Sequence, residues 1–343
     1  MKKIKYLQTS ISVITLGITM LCLIIVSVAA NYNFNGFPME TRASGTINGG
    51  VFVDGVPWAG TTTLTVDFEV PNGAVKWARL YTGIWGGNPT NTGWIDATFN
   101  GVGLGPLHLE GENECNPNVW CSGCGKYWMY FDVTDSVTMG STNTATVSKI
   151  NGSIDGRVYG IALVVVYEGG DNPKNIQYWI NDGSDALHDH SYVCPECGER
   201  NEGTTSFGGA VDTGSITGAE LTMIHLTGYD PSCNNCLEFN DNPLSTSMIT
   251  HSTIDIHTWD VSGYVVSSGN LVWYGRGEDP FVNICNAILV LEKAALFDPW
   301  RYDINEDRTI EKSEVIGAIQ DYFDGKITKE QVIEVIKLYY LPT

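Results

Sequence analysis

YGIALVVVY (residues 159–167) and VNICNAILVL (residues 282–291) decide how this chain folds. Each is a nearly unbroken apolar run of strand length. Each is entered through turn-forming residues, Asp155-Gly156 before the first and Glu278-Asp279-Pro280 before the second. A strand with one wet face alternates apolar and polar residues, whereas a run apolar throughout fits a strand covered on both faces. Outward from each run, the same features precede it in the same order. ARLYTGIW (78–85) and, after a turn, WIDATFNG (94–101) are matched by LTMIHLTGY (221–229) and CLEFND (236–241). YFDV (130–133) and TATV (144–147) are matched by TIDI (253–256) and NLVW (270–273). The expected body is therefore mainly β, two tandem jelly-roll-type β-sandwich domains at residues 45–175 and 204–293. An irregular stretch containing Cys and His, residues 176–203, joins them.

Composition agrees with this reading. The 343 residues include 38 Gly and only 17% charged residues, with many Thr, Ser and Asn, as long-looped β proteins do. Lys2, Lys3 and Lys5 precede an apolar run from about residue 11 to 28, which ends in Ser27-Val28-Ala29-Ala30. This reads as a signal peptide, residues 1–30, cleaved after Ala30, with an N-terminal membrane anchor as the alternative. Either places the remainder outside the cytoplasm, at the cell surface or beyond it. Removing those three lysines takes the formal charge from −20 to −23. Such acidity argues against nucleic acid as a partner. Asn151-Gly152-Ser153 is an N-glycosylation sequon.

Residues 303–314 read D-I-N-E-D-R-T-I-E-K-S-E. Asp303, Asn305, Asp307, Glu311 and Glu314 fall at loop positions 1, 3, 5, 9 and 12, and Thr309 offers its carbonyl at position 7. This is the oxygen spacing of an EF-hand loop, which gathers about six to eight oxygens around Ca²⁺. Arg308 stands where the sharp turn usually takes Gly, so a strained backbone is expected there. Val315, Ile316, Ile319, Tyr322 and Phe323 follow at helical spacing. After a loop-like Asp324-Gly325-Lys326-Ile327-Thr328, a second amphipathic run contains Val332, Val335, Ile336 and Tyr339.

One cysteine of nine, Cys22, lies in the signal segment. Cys121-Ser-Gly-Cys124-Gly and Cys194-Pro-Glu-Cys197-Gly have the form of zinc knuckles, so Cys121, Cys124, Cys194 and Cys197 are candidate Zn²⁺ ligands. His188 and His190 offer an alternative His₂Cys₂ set. Disulfides are the competing expectation for an exported chain. Cys233 and Cys236 form a third pair that either reading accommodates, and Cys285 reads as a buried small apolar residue.

The two-helix unit at residues 298–341, with one intact and one degenerate loop, resembles a dockerin-like calcium-binding domain. That resemblance implies docking onto a cohesin-like or other surface protein. The features ARLYTGIW, GKYWMYFDVT, DGRVYGIALVVVYE, YWINDGSDAL and GEDPFVNICNAILVLE resemble an archaeal, methanogen-type family of cell-surface proteins of unknown function. The resemblance implies an exported surface role and no particular reaction.

No catalytic constellation emerges: there is no G-x-S-x-G, H-E-x-x-H or phosphate loop. Glu278-Asp279 and Asp182 with Asp185 are the best carboxylate candidates, and solvated loop carboxylates or further calcium ligands are the simpler account of them. Arg157 and Arg276 precede the two closing runs at related positions, which a shared structural ion pair explains as well as a ligand contact does. The expected function is an exported structural, adhesive or interaction protein with a calcium-dependent C-terminal docking module. The alternative is a secreted polysaccharide-binding protein or glycan-acting hydrolase, with Trp85, Trp94, Trp120 and Trp128 as candidate stacking surfaces.

Overall fold

The computed structural model describes residues 31–189, 198–227, 236–244, 253–294 and 297–340. Its first half contains β1 (Tyr32–Asn33), β2 (Gly36–Pro57), β3 (Thr63–Glu69), β4 (Ala74–Trp85), β5 (Gly93–Phe99), β6 (Val102–Gly103), β7 (Leu107–Leu109), β8 (Val119–Ser122), β9 (Lys126–Asp132), β10 (Thr142–Gly152) and β11 (Arg157–Glu168). The second contains β12 (Lys174–His188), β13 (Glu202–Ala210), β14 (Ile216–Leu226), β15 (Leu237–Phe239), β16 (Asn242–Pro243), β17 (Ile254–Asp260), β18 (Ser268–Gly275) and β19 (Phe281–Lys293). Two helices follow, α1 (Lys312–Phe323) and α2 (Lys329–Tyr340).

Ten strands form one sheet in the order β1-β8-β9-β4-β11-β2-β12-β19-β14-β17. A five-stranded sheet runs β3-β10-β5-β6 with β7 also on β5, and a four-stranded sheet runs β13-β18-β15-β16. The repeat is visible in this order. β2, β3, β4, β5, β9, β10 and β11 recur as β12, β13, β14, β15, β17, β18 and β19. In both copies the chain alternates strictly between the large sheet and a small one. The neighbours match as well: β9-β4-β11-β2 mirrors β17-β14-β19-β12.

The two closing runs are β11 and β19, and both are covered on both faces, as expected. In β11, Ile161, Leu163 and Val165 enter a core shared with Phe68, Ile95, Phe99 and Val147 of the five-stranded sheet. The intervening Ala162, Val164 and Val166 enter a different core. In β19, Ala287, Leu289 and Leu291 pack with Phe207, Phe239 and Val272 of the four-stranded sheet, while Cys285 and Ile288 face away. Each such side chain contributes about 1.5–3 kcal/mol of burial.

The core on the opposite face joins Tyr81, Trp128 and Val164 to Ile180, Ile224, Leu226, Ile254 and Ile288. Strands from the two ends of the large sheet thus meet over one surface, and the sheet curls back upon itself. Glycine permits the closest approach: a Cβ on Gly160 would lie 2.1 Å from Ile254 Cγ2, and one on Gly83 would lie 2.4 Å from Leu226 Cδ1.

The stretch at residues 177–203, expected to be irregular, differs most from the sequence reading. It carries most of β12, buried continuously from Tyr178 to His188, and the start of β13. β12 lies at the centre of the large sheet, between β2 and β19. Its sequence hides this because Asn181, Asp182, Ser184 and Asp185 interrupt the apolar pattern, and their partners are remote in the chain. The register also slips between Asp182 and Asp185, which breaks the two-residue period.

The helices have their own small core, Tyr302, Ile310, Ala318, Ile327, Val332 and Val335. No helix among the described residues is long and apolar enough to cross a membrane.

A Cβ at Gly183, in the slipped segment of β12, would meet Phe37 O at 2.7 Å and Pro38 O at 2.8 Å. Both are backbone atoms of β2 and cannot swing aside. Gly183→Ala should therefore lose about 1–3 kcal/mol in urea unfolding. Gly103→Ala, where an added Cβ meets nothing within 4 Å, should shift the midpoint little.

Candidate functional site

The loop at residues 303–314 is held by its own side chains. Asp303 accepts the N–H of Asp307 through Oδ1 at 3.1 Å and the N–H of Arg308 through Oδ2 at 2.8 Å. Asp307 Oδ1 accepts the Thr309 N–H at 2.8 Å, and Asn305 Nδ2 donates to Asp307 Oδ2 at 3.0 Å. Glu314 reaches back from the first turn of α1, accepting the Ile304 N–H at 2.7 Å and the Glu311 N–H at 2.9 Å. Glu314 thus meets the backbone one residue after Asp303, while the Asp303 carboxylate itself faces the amides of Asp307 and Arg308. Glu311 forms a capping box with Glu314, so its side chain is engaged at the start of α1. Arg308 has φ 62° and Glu306 φ 56°, both left-handed, so the expected strain at Arg308 is present. Ile310, almost fully buried, pins the loop to the helical core.

The donor chemistry fits Ca²⁺: hard oxygens at alternate positions, closed by a glutamate one helical turn on. Asp303, Asn305, Asp307, Glu314 and the Thr309 carbonyl are the residues that would hold it. As folded here the carboxylates are turned to backbone amides. Among the described residues, no three His, Cys, Asp or Glu side chains are gathered as for a metal ion.

Of the candidate zinc ligands, Cys194 and Cys197 lie outside the described residues, as does His190. Cys121 is fully buried in the first core, and burial pushes its thiol well above the usual range. Cys124 is half-buried. Its pKa is raised by burial and opposed by the nearby Lys126. Lys126 donates to Thr227 Oγ1 at 2.9 Å and sits 3.2 Å from the centre of the Phe281 ring. Burial pushes its pKa down to about 7. Cys236 is disulfide-bonded, and Cys285 is a buried free thiol, as expected.

The carboxylates of β12 are not solvated, contrary to the simpler expectation. Asp182 is fully buried in the curl of the large sheet. It accepts from Arg42 Nε at 2.7 Å, Arg79 Nη1 at 2.5 Å and Tyr81 Oη at 2.8 Å. The Arg79 guanidinium lies 3.6 Å over the Tyr130 ring. Asp185 accepts from Tyr274 Oη at 2.7 Å, and Arg200 Nη2 lies 2.6 Å from its other oxygen. The two aspartates belong to separate clusters, each tying β12 to a different part of the body. Neither arrangement resembles a pair of catalytic acids facing a shared substrate, because each carboxylate is engaged by a cation and a phenol.

Sequence reading named the aspartates and missed Arg42, Arg79, Tyr81, Arg200 and Tyr274. A signal for two of them exists: Arg79 and Tyr81 are two apart on one strand, a polar pair sharing a face within an apolar segment. Arg157 and Arg276 are ion-paired, to Asp155 and Glu199, each at 2.6 Å, in favour of the structural account of both. Asp279 accepts the Phe281 N–H through Oδ1 at 2.9 Å and so caps the turn before β19. Trp120 and Trp128 are buried core residues, and Trp85 is partly covered and stacked on Tyr159. Trp94 is 37% exposed.

Residues 31–292 match the family described as Protein of unknown function (DUF3344), and the chain belongs to it. No curated protein is similar in sequence. Distant likenesses exist among solved structures. A peptide-N(4)-(N-acetyl-beta-D-glucosaminyl) asparagine amidase is 9% identical at a TM-score of 0.25, covering 73% of this chain and 96% of that one. The ANXUR2 extracellular domain from Arabidopsis thaliana is 7% identical at a TM-score of 0.22, covering 75% and 90%. A Streptomyces avermitilis alpha-L-rhamnosidase is 14% identical at 0.22, covering 76% and 26%. None of these bears on what this chain does.

Burial lifts the Asp185 carboxyl above its ordinary range, although Tyr274 and Arg200 oppose the shift. A carboxyl with a raised folded pKa binds its proton more tightly in the folded state. Its stabilising contribution is complete below the unfolded value, near about 4, and is lost as pH climbs through the folded value. The unfolding free energy of the wild-type chain minus that of Asp185→Asn should therefore fall as pH rises from about 4 toward neutrality. Urea titrations at each pH measure this, and a difference that grows with pH would contradict it.

Proposed function

We propose that this chain is an exported cell-surface protein of structural, adhesive or interaction type. Two jelly-roll-type sandwiches provide its body, and its C-terminal module folds around Ca²⁺ to dock onto a partner, a cohesin-like or other surface protein. The observation that carries this reading is the 303–314 loop, in which Glu314 of α1 meets the chain beside Asp303. A cation there joins the entry to the helix pair with the helix itself. Behind the loop, α1 and α2 leave Ile316 56%, Phe323 76% and Tyr340 73% exposed, apolar area of the kind a partner covers. Export rests on the N-terminal sequence: Lys2, Lys3 and Lys5, then the apolar run ending in Ser27-Val28-Ala29-Ala30. Of the two metals the sequence suggests, calcium is the one proposed, because Cys121 is committed to the first core.

An enzymatic reading has less support. Asp182 and Asp185 are neutralised within the fold, and Asp279 caps a turn. These groups hold structure and leave no free acid at their positions.

Calcium that binds only the folded module stabilises it by mass action, about 2.7 kcal/mol at a hundredfold excess over Kd. Trypsin should cleave slowly at Arg308 and Lys312 with calcium present and rapidly with EGTA. Asp303→Ala should abolish that protection while residues 31–294 stay resistant in both conditions. Protection unchanged by EGTA would overturn the calcium reading. A left-handed Arg308 costs roughly 1–2 kcal/mol, so, if that strain is relieved on binding, Arg308→Gly should bind calcium about five- to thirtyfold more tightly by calorimetry.

A further inference from the structure

The sequon Asn151-Gly152-Ser153 occupies a defined place in the fold. Asn151 is exposed near the end of β10 and lies directly opposite Trp94 of β5, which in turn lies directly opposite His108 of β7. The three residues form a row across three strands on the outer face of the five-stranded sheet. Directly opposed residues on an antiparallel pair have Cβ atoms about 4.5–5.5 Å apart and point to the same side. The His108 ring is stacked on the indole, with centroids 4.5 Å apart and planes at 18°. His108 approaches from the β7 side, so the remaining indole face is turned toward β10 and Asn151.

The rest of the sequon is fixed by the fold. Gly152 has φ 96°, and a Cβ on it would lie 2.3 Å from Gly93 Cα. Ser153 Oγ accepts the Thr92 N–H at 3.1 Å, tying the turn to the start of β5. The segment therefore holds Asn151 at one end of a rigid shelf whose next surface is an exposed indole, unlike the covered Trp120 and Trp128.

We infer that Asn151 carries an N-linked glycan whose first sugar packs on the free face of Trp94. The transfer takes a sugar from an activated sugar-phosphate donor. Asn151 Nδ2 forms a bond to the anomeric carbon, the bond from that carbon to the phosphate oxygen breaks, and the phosphate leaves with the electron pair. Nδ2 gives one proton to the transferase. The pyranose face bearing C–H groups is apolar, and so is the indole face, and laying one on the other removes both from water. Exposed Trp94, on an otherwise Thr-rich sheet face, then has a partner within its own molecule. The inference rests on the export proposed above.

The test uses protein recovered from the exterior fraction of the cells that make it. Trypsin releases residues 150–157, and the mass of that peptide is measured. A peptide heavier by whole sugar residues, restored to its bare mass in Asn151→Gln and retained in Ser153→Thr, is expected. A bare peptide from exported protein overturns the inference and leaves export standing. Protein found only inside the cell fails the export reading instead. The stacking is tested by thermal unfolding of glycosylated protein against Asn151→Gln, each with Trp94 intact and with Trp94→Ala added. The glycan should raise Tm by about 2 °C or more when the indole is present and not when it has been removed. An equal increment in both backgrounds overturns the stacking.

Discussion

The antiparallel pairing of β2 with β12 is the constraint on which the rest of the body depends. Each strand opens one copy of the seven-strand repeat, and their pairing makes two repeats into one ten-stranded sheet. Both strands are bonded on both edges. β12 is buried continuously from Tyr178 to His188, whereas β2 leaves Arg42, Ser44, Thr46 and Asn48 exposed. The same pairing allows the sheet to curl, bringing β4 and β11 over β14 and β17, with Gly83 and Gly160 at the closest approaches.

Buried charge follows from that topology. β12 carries Asp182 and Asp185 into the interior, where an unpaired carboxylate would be costly. Asp182 is matched to Arg79 and Tyr81 of β4 and Arg42 of β2, and Asp185 to Tyr274 of β18 and Arg200, which precedes β13. Buried ion pairs of this kind add little net stability over apolar packing, yet removing one partner is strongly destabilising. Their effect is therefore selective. Any register of β12 other than the observed one separates Asp182 from Arg79 and Tyr81, and Asp185 from Tyr274. The slip at Gly183 belongs to the same device, because it sends two aspartates three residues apart into separate clusters.

The legible parts of the sequence were those whose signal is local. β11 and β19 are apolar throughout, so their burial on both faces could be read from nine or ten consecutive residues. The repeat was legible in β4, β5, β9 and β10 and their counterparts for the same reason. β12 was not, because Asn181, Asp182, Ser184 and Asp185 are compatible with burial only through Arg42, Arg79, Tyr81, Thr205 and Tyr274, which local sequence does not connect to them. The conformation of the 303–314 loop was legible because its turn chemistry is local, including the left-handed Arg308. That Asn151 faces Trp94 depends on the β10–β5 register, 57 residues apart in the chain, and only the fold supplies it.

The body and the tail answer to different forces. The body rests on large apolar cores and on charges paired within the chain, none of which depends on solute concentration. The tail has six buried apolar residues and a loop whose carboxylates repel one another when no cation lies between them. A core that small is marginal by itself, so its folded population follows whatever binds it. Under the calcium-dependent docking and export proposed above, the sheets would present a constant surface and α1 and α2 a conditional one. The apolar face of the helices would then be ordered only where calcium is plentiful, after the chain has reached the exterior.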